Sequence, residues 1–141
     1  MNILELAKQK QDSIDDKRLK IIKEREEEEQ KERNDCNIFF EKTLKILKEL
    51  EIDAVSPNNY WEGINISLTK DIDIKIGVIS SSYITIRSYL KEFHYNYDVE
   101  TNFVYIKPNA EGFIDESNKR IIQYSAEFLE KVFKKLISDY N

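Results

Sequence analysis

Chemistry needs a nucleophile, an acid–base group or a metal ligand, and this chain of 141 residues holds few of these in workable combination. Histidine occurs once, as His94, and cysteine once, as Cys36. Any Ser–His–Asp or Cys–His mechanism must therefore run through His94. Cys36 shares an apolar stripe with Phe40, Leu44 and Leu47 at helical spacing, which makes it a small core hydrophobe rather than an exposed thiolate. His94 alternates with Asn96 and Asp98, the pattern of a surface strand position. A lone cysteine excludes an internal disulfide and a cysteine-based zinc cluster. Gly63, Gly77 and Gly112 are isolated, so no glycine-rich phosphate loop is present. No cofactor is expected.

Two constellations remain. The first is Asp73-Ile74-Lys75, an acid-x-Lys element that follows a helix and a strand. It resembles the tail of the PD-(D/E)xK nuclease motif, and that resemblance implies a divalent metal held by two acids, with the lysine positioning the attacking water. Glu62 or Asp71 would be the second acid. The Pro-Asp half of the motif is missing, and the chain continues as strands where that family has a helix.

The second constellation is aromatic and basic. If Ile84, Ile86, Val104 and Ile106 face a core, then Tyr83, Arg87 and Tyr89, with Phe103, Tyr105 and Lys107, face outward. Aromatic rings interleaved with cations can stack single-stranded bases. Tyr and Arg also dominate protein–protein hot spots.

These residues are positioned by a run of strands from Ile64 to Lys107. Ile64, Ile66 and Leu68 alternate with Asn65 and Ser67. Ile72, Ile74, Ile76 and Val78 alternate with Asp71, Asp73, Lys75 and Gly77. Ile84 and Ile86 alternate with Thr85 and Arg87. Strand side chains repeat every two residues, so each run has one buried and one wetter face. Tyr95, Tyr97 and Val99 predict a fourth strand, and Val104 with Ile106 a fifth. The joints at Thr69-Lys70, Ser80-Ser81-Ser82 and Glu100-Thr101-Asn102 are short, which favours antiparallel neighbours over parallel crossovers of about a dozen residues or more.

Helices flank the strands. Leu4, Ala7, Ile14 and Ile21 fall at near-heptad spacing, interrupted by Gln11 and Arg18. Lys23 to Asp35 carries no apolar residue but consists of good helix formers, with favourable i,i+4 pairs such as Glu27–Lys31 and Glu29–Arg33. Cys36 to Ile52 is amphipathic and predicted to pack on the sheet or on a second copy of itself. Ser56-Pro57-Asn58-Asn59 marks a loop that carries Tyr60 and Trp61. Pro108 ends the last strand, and Asn109 to Gly112 turns the chain. Asp115 or Ser117 is predicted to cap a final helix whose stripe is Ile122, Ala126, Leu129, Phe133, Leu136 and Tyr140, broadened by Ile121, Phe128, Val132 and Ile137.

The expected fold is therefore α+β: a long N-terminal charged helix, a four- or five-stranded antiparallel β-meander, and a C-terminal amphipathic helix packed on the sheet. Residues 1–35 are expected to form a charged helical arm and residues 36–141 one α+β domain. The layout is loosely similar to coiled-coil proteins that end in a small α+β head, and to small acidic secretion chaperones.

The formal net charge is −5 and the pI about 5.1, which argues against a dedicated DNA-binding protein with its basic face. The start of the chain lacks a basic segment followed by a long apolar run, and no stretch approaches the ~20 apolar residues that span a bilayer. A cytoplasmic location is expected. The abundance of Ile, Lys, Asn and Tyr fits the coding bias of an AT-rich bacterial or phage genome. The leading functional expectation is a non-enzymatic binding protein that acts through protein–protein contacts, such as a phage or mobile-element inhibitor of a host defence system. It would be a homodimer through its N-terminal helix, with another protein as partner and neither nucleic acid nor membrane. The partner face would be Tyr83, Arg87, Tyr89, Phe103, Tyr105 and Lys107. The alternatives are a bacterial adaptor or secretion-type chaperone, a metal-dependent nuclease using Glu62, Asp71, Asp73 and Lys75, and a single-stranded nucleic-acid binder.

Overall fold

The computed structural model describes residues 2–107 and 120–140. They form an α+β architecture in the order α1 (Ile3–Glu49), β1 (Ile64–Ser67), β2 (Asp73–Ser80), β3 (Tyr83–Arg87), β4 (Glu92–Asp98), β5 (Phe103–Tyr105), β6 (Ile121–Gln123) and α2 (Ala126–Ser138). By contacts the chain divides into two compact units, Met1–Glu32 and Arg33–Asn141.

In the first unit, Asn2 caps α1: its side-chain oxygen accepts from the Glu5 N–H at 2.8 Å, satisfying one of the orphan donors at the helix start. Every residue from 2 to 31 is exposed, including Ile3, Leu4, Leu19 and Ile22. Among the described residues no helix is long and apolar enough to cross a membrane.

In the second unit all six strands form one antiparallel sheet in sequence order, so every neighbour is a hairpin partner. The registers align the apolar residues across the sheet. Ile64 faces Ile76, Ile76 faces Ile86, and Ile86 faces Phe93. Val78 faces Ile84 and Ile84 faces Tyr95; Tyr97 faces Val104 and Val104 faces Ile122. A one-residue slip would turn this whole set to water, so the alternation fixes the register. A bulge between Val78 and Ser80 interrupts it once and leaves Ile79 exposed.

Both helical layers use this inner face. From α1 come Cys36, Phe39, Phe40, Thr43, Ile46 and Leu47; from α2 come Phe128, Leu129, Val132, Phe133 and Leu136. Aromatic rings tie the layers together. Phe39 lies edge-on to Tyr97 at 5.0 Å and against Tyr124 at 5.1 Å, and Tyr95 is edge-on to Phe128 at 5.3 Å. Thr43 Oγ1 donates to the Phe39 carbonyl at 2.8 Å and lies 2.7 Å from the Tyr124 hydroxyl. A hydroxyl has one proton, so Tyr124 is the donor in that second contact.

α1 ends in a Schellman turn. The Ile52 N–H donates to the Leu47 carbonyl, the Glu51 N–H to the Lys48 carbonyl, and Glu51 takes a left-handed φ of 60°.

The structure departs from the sequence expectation at the C-terminal side. The sheet has six strands, not four or five, because Ile121–Gln123 pairs with β5 instead of opening the helix. The stripe from Ile122 to Ala126 satisfies a helical spacing of four, but Ile122 and Tyr124 also satisfy the strand period of two. The exposed edge of β5 decides between them. α2 begins only after Ser125, whose hydroxyl accepts from the Phe128 N–H at 3.4 Å. The expected caps Asp115 and Ser117, the stop at Pro108 and the turn at Asn109 to Gly112 lie outside the described residues. β4 starts at Glu92 rather than near Tyr95, and Val99 falls in the turn after it.

Candidate binding face

Because both helices bury the inner face, the polar halves of the strands form an outer one. Its rows follow from the registers. Asn65, Lys75, Arg87 and Glu92 stand side by side on β1 to β4. Tyr83, Asn96, Tyr105 and Ile121 stand side by side on β3 to β6. Phe103 lies two residues before Tyr105 on the same face, opposite Gln123.

This arrangement divides the six expected partner residues into two groups. Tyr83, Phe103, Tyr105 and Lys107 cluster around the second row. Lys107 Nζ lies 5.8 Å from the Tyr83 ring centroid, and Tyr83 packs on the His94 ring at 5.5 Å. Phe103 and Tyr105 keep 38% and 37% of their surface exposed and Ile121 keeps 56%, so these three are accessible, with Tyr83 standing across Asn96 from Tyr105. Ile121 belongs to it although the sequence assigned that residue to a helix. Only a strand assignment of Ile121–Gln123 would have revealed it.

Arg87 and Tyr89 lie elsewhere. Arg87 ends β3, four residues from Tyr83, about 13 Å along the strand. Tyr89 is in the β3–β4 turn, not on a strand, and is 94% exposed. Both line a cleft of about 640 Å³ together with Asn65, Ser67, Asp73 and Lys75. Leu90 N–H and Lys91 N–H both donate to Ser88 Oγ at 3.2 Å, which fixes the turn that carries Tyr89.

The residues of the nuclease-like element are not gathered into one donor set. Asp73 and Lys75 share the outer face of β2, and Asp71 lies in the bend before it. Glu62 lies beyond the other end of β1. Ser67 pairs with Asp73, and Ile64, beyond which Glu62 lies in a turn, is three residues from Ser67, about 10 Å along the strand. Glu62 instead accepts from Asn59 Nδ2 at 3.2 Å. Among the described residues no group of three or more His, Cys, Asp and Glu side chains could hold a metal ion.

Cys36 is fully buried beneath the inner face, whereas His94 stands on the outer one, so the sheet separates thiol from imidazole. His94 Nε2 lies 3.6 Å from the Glu92 carboxylate, both side chains being partly exposed. Among the described residues the perturbed ionisable groups are tyrosines of the core. Burial, with the neighbouring Asp98 carboxylate, pushes Tyr97 up to about 12; its hydroxyl donates to Asn102 Oδ1 at 2.7 Å. Burial alone raises Tyr95, and burial outweighs the Thr43 hydrogen bond in raising Tyr124. The hydroxyls of Tyr97 and Tyr124 are neutral donors of the fold, not acid–base catalysts at neutral pH.

Compared with family models, curated proteins and solved structures, the chain matches none.

Proposed function

We propose that this chain is a non-enzymatic binding protein whose working surface is the outer face of the sheet, with another protein as partner. The observation that carries the proposal is the patch of Tyr83, Phe103, Tyr105 and Ile121 flanked by Lys107. Isolated exposed apolar residues are ordinary, but Phe103, Tyr105 and Ile121 occupy neighbouring positions on β5 and β6, with Tyr83 across Asn96, and rigid strands preorganise them as an apolar surface rimmed by polar groups. Such rings supply large contact area at little entropic cost on binding, and they dominate interface energetics. The formal charge of −5 favours a protein over a nucleic-acid partner, because phosphate binding rests on neutralising cations.

The test is affinity capture from the native host with wild-type protein and with the double variant Phe103→Ala/Tyr105→Ala. Both residues are partly exposed, so the variant should fold normally, and circular dichroism checks that. A partner seen with wild type should be lost with the variant, since truncating a hot-spot ring costs about 2 kcal/mol or more, about thirtyfold in affinity. Equal capture by both proteins would refute the assignment.

Self-association through residues 3–22 is part of the same proposal, supported by the exposure of Ile3, Leu4, Leu19, Ile21 and Ile22. Light scattering at micromolar concentration should give a dimer, and a strict monomer would remove this part.

A further inference from the structure

Lys75 and Arg87 occupy directly opposed positions on β2 and β3. Like charges so placed repel, with side chains rooted about 5 Å apart. Neither has a carboxylate within ion-pairing distance among the described residues: Glu92, opposite Arg87, instead lies against His94, and Asp73, two residues before Lys75, pairs with neither cation. Both residues line the same cleft, together with Ser67 and Asn65. The Lys75 stem lies over Gly63, with Cε 3.1 Å from where a Cβ on that glycine would stand. A larger residue there would displace the lysine.

We infer that this cleft is an oxyanion-binding site, taking a phosphoryl or carboxylate group between Lys75 and Arg87. The arginine supplies a planar fork that matches either group bidentately, and the lysine supplies a compact point charge. Asn65 adds a neutral donor on the β1 side, while the Ser67 hydroxyl donates to the Thr69 carbonyl at 3.4 Å. The exposed Tyr89 ring borders the site and offers a stacking surface to whatever carries the anion. Asp73 is the opposing charge on the cleft wall and weakens the site at neutral pH. The inference goes beyond the protein-binding proposal and does not depend on the aromatic patch, which lies about 13 Å away along β3.

The experiment is an amide NMR titration of the full chain with sodium phosphate and with sodium glutarate, each at ionic strength held constant with sodium chloride. Saturable shifts confined to Ser67, Lys75, Arg87 and Ser88 are expected with at least one of the two. Saturation by phosphate alone assigns a phosphoryl ligand, and saturation by glutarate alone a carboxylate; either supports the site. Arg87→Ala should weaken the effect by about tenfold or more, and Asp73→Asn should strengthen it. Phe103→Ala/Tyr105→Ala should leave it unchanged, so a failed capture experiment and a failed titration remain separate results. Relief of the opposed charges means that Arg87→Ala should unfold no earlier than wild type. Shifts that match chloride alone, or that persist undiminished in both Arg87→Ala and Lys75→Ala, would overturn the inference.

Discussion

The contact between Thr43 and Tyr124 joins α1 to the segment linking β6 and α2, across 81 residues of sequence, and it predicts an asymmetric response to mutation. Both residues are almost completely buried. Tyr124→Phe removes the donor, but Thr43 Oγ1 still donates to the Phe39 carbonyl, so no donor is stranded. The cost should be that of one ordinary hydrogen bond, about 1 kcal/mol. Thr43→Val keeps the shape but leaves the Tyr124 hydroxyl in an apolar core without an acceptor. The cost should be the desolvation of that group, about 2 kcal/mol. In the double variant neither polar group remains, and the loss should fall back to about 1 kcal/mol or less. The coupling between the two sites is then about 2 kcal/mol, far above the few tenths expected of independent positions. Urea unfolding followed by far-ultraviolet circular dichroism measures it. With a slope of about 2 kcal/mol per molar, Thr43→Val should lower the midpoint by about 1 M. Additive single effects, or a Thr43→Val variant more stable than Tyr124→Phe, would refute the donor assignment.

Four further outcomes are expected. Glu51→Gly should raise stability by about 0.5–1 kcal/mol in the same urea assay, because glycine suits the left-handed position that closes α1. Gly63→Ala should lower the thermal midpoint by several degrees, since φ is +72° and the added Cβ would stand 2.7 Å from the Ile76 carbonyl oxygen; an unchanged midpoint would contradict the local geometry. Tyr97, raised from its ordinary value of 10.0 to about 12, binds its proton more tightly when folded, so its contribution is fully present below pH 10 and lost as pH rises through about 12. Urea midpoints should therefore be flat across neutral pH and fall above pH 10, and a flat profile to pH 12 would count against this. Deleting residues 1–32 should leave the unfolding free energy of the remainder within about 0.5 kcal/mol, because the buried core runs only from Cys36 to Leu136.

Much of the fold was legible because it is written in local periodicity. Ile64 and Ile66, Ile74 and Ile76, and Ile84 and Ile86 announce their strands and their buried face without any partner in view. The α1 stripe of Cys36, Phe40 and Leu47 and the α2 stripe of Leu129, Phe133 and Leu136 are equally local, and all six residues are buried. The segment Ile121–Gln123 was misread because three residues cannot establish a period, and a spacing of four from Ile122 to Ala126 fits a helix as well. The site was legible only as a set of outward residues. Alternation told that Tyr83, Arg87, Phe103 and Tyr105 share a face, but not which of them are neighbours.

Composition and pattern by themselves determined the α+β class, the antiparallel order of the hairpins, the exclusion of an internal disulfide, and the two-faced character of the sheet. Those properties depend on residue type and spacing within a few positions. Tertiary structure decided the rest. It drew Ile121–Gln123 into the edge of the sheet, placed Cys36 and His94 on opposite faces, and kept Glu62 from Asp73. It also sorted one list of aromatic and basic residues into a ring patch and a separate cationic cleft. The reason is that cross-strand register, set by the mating of the inner apolar face, fixes which outer side chains stand together, and that mating exists only once the strands have paired.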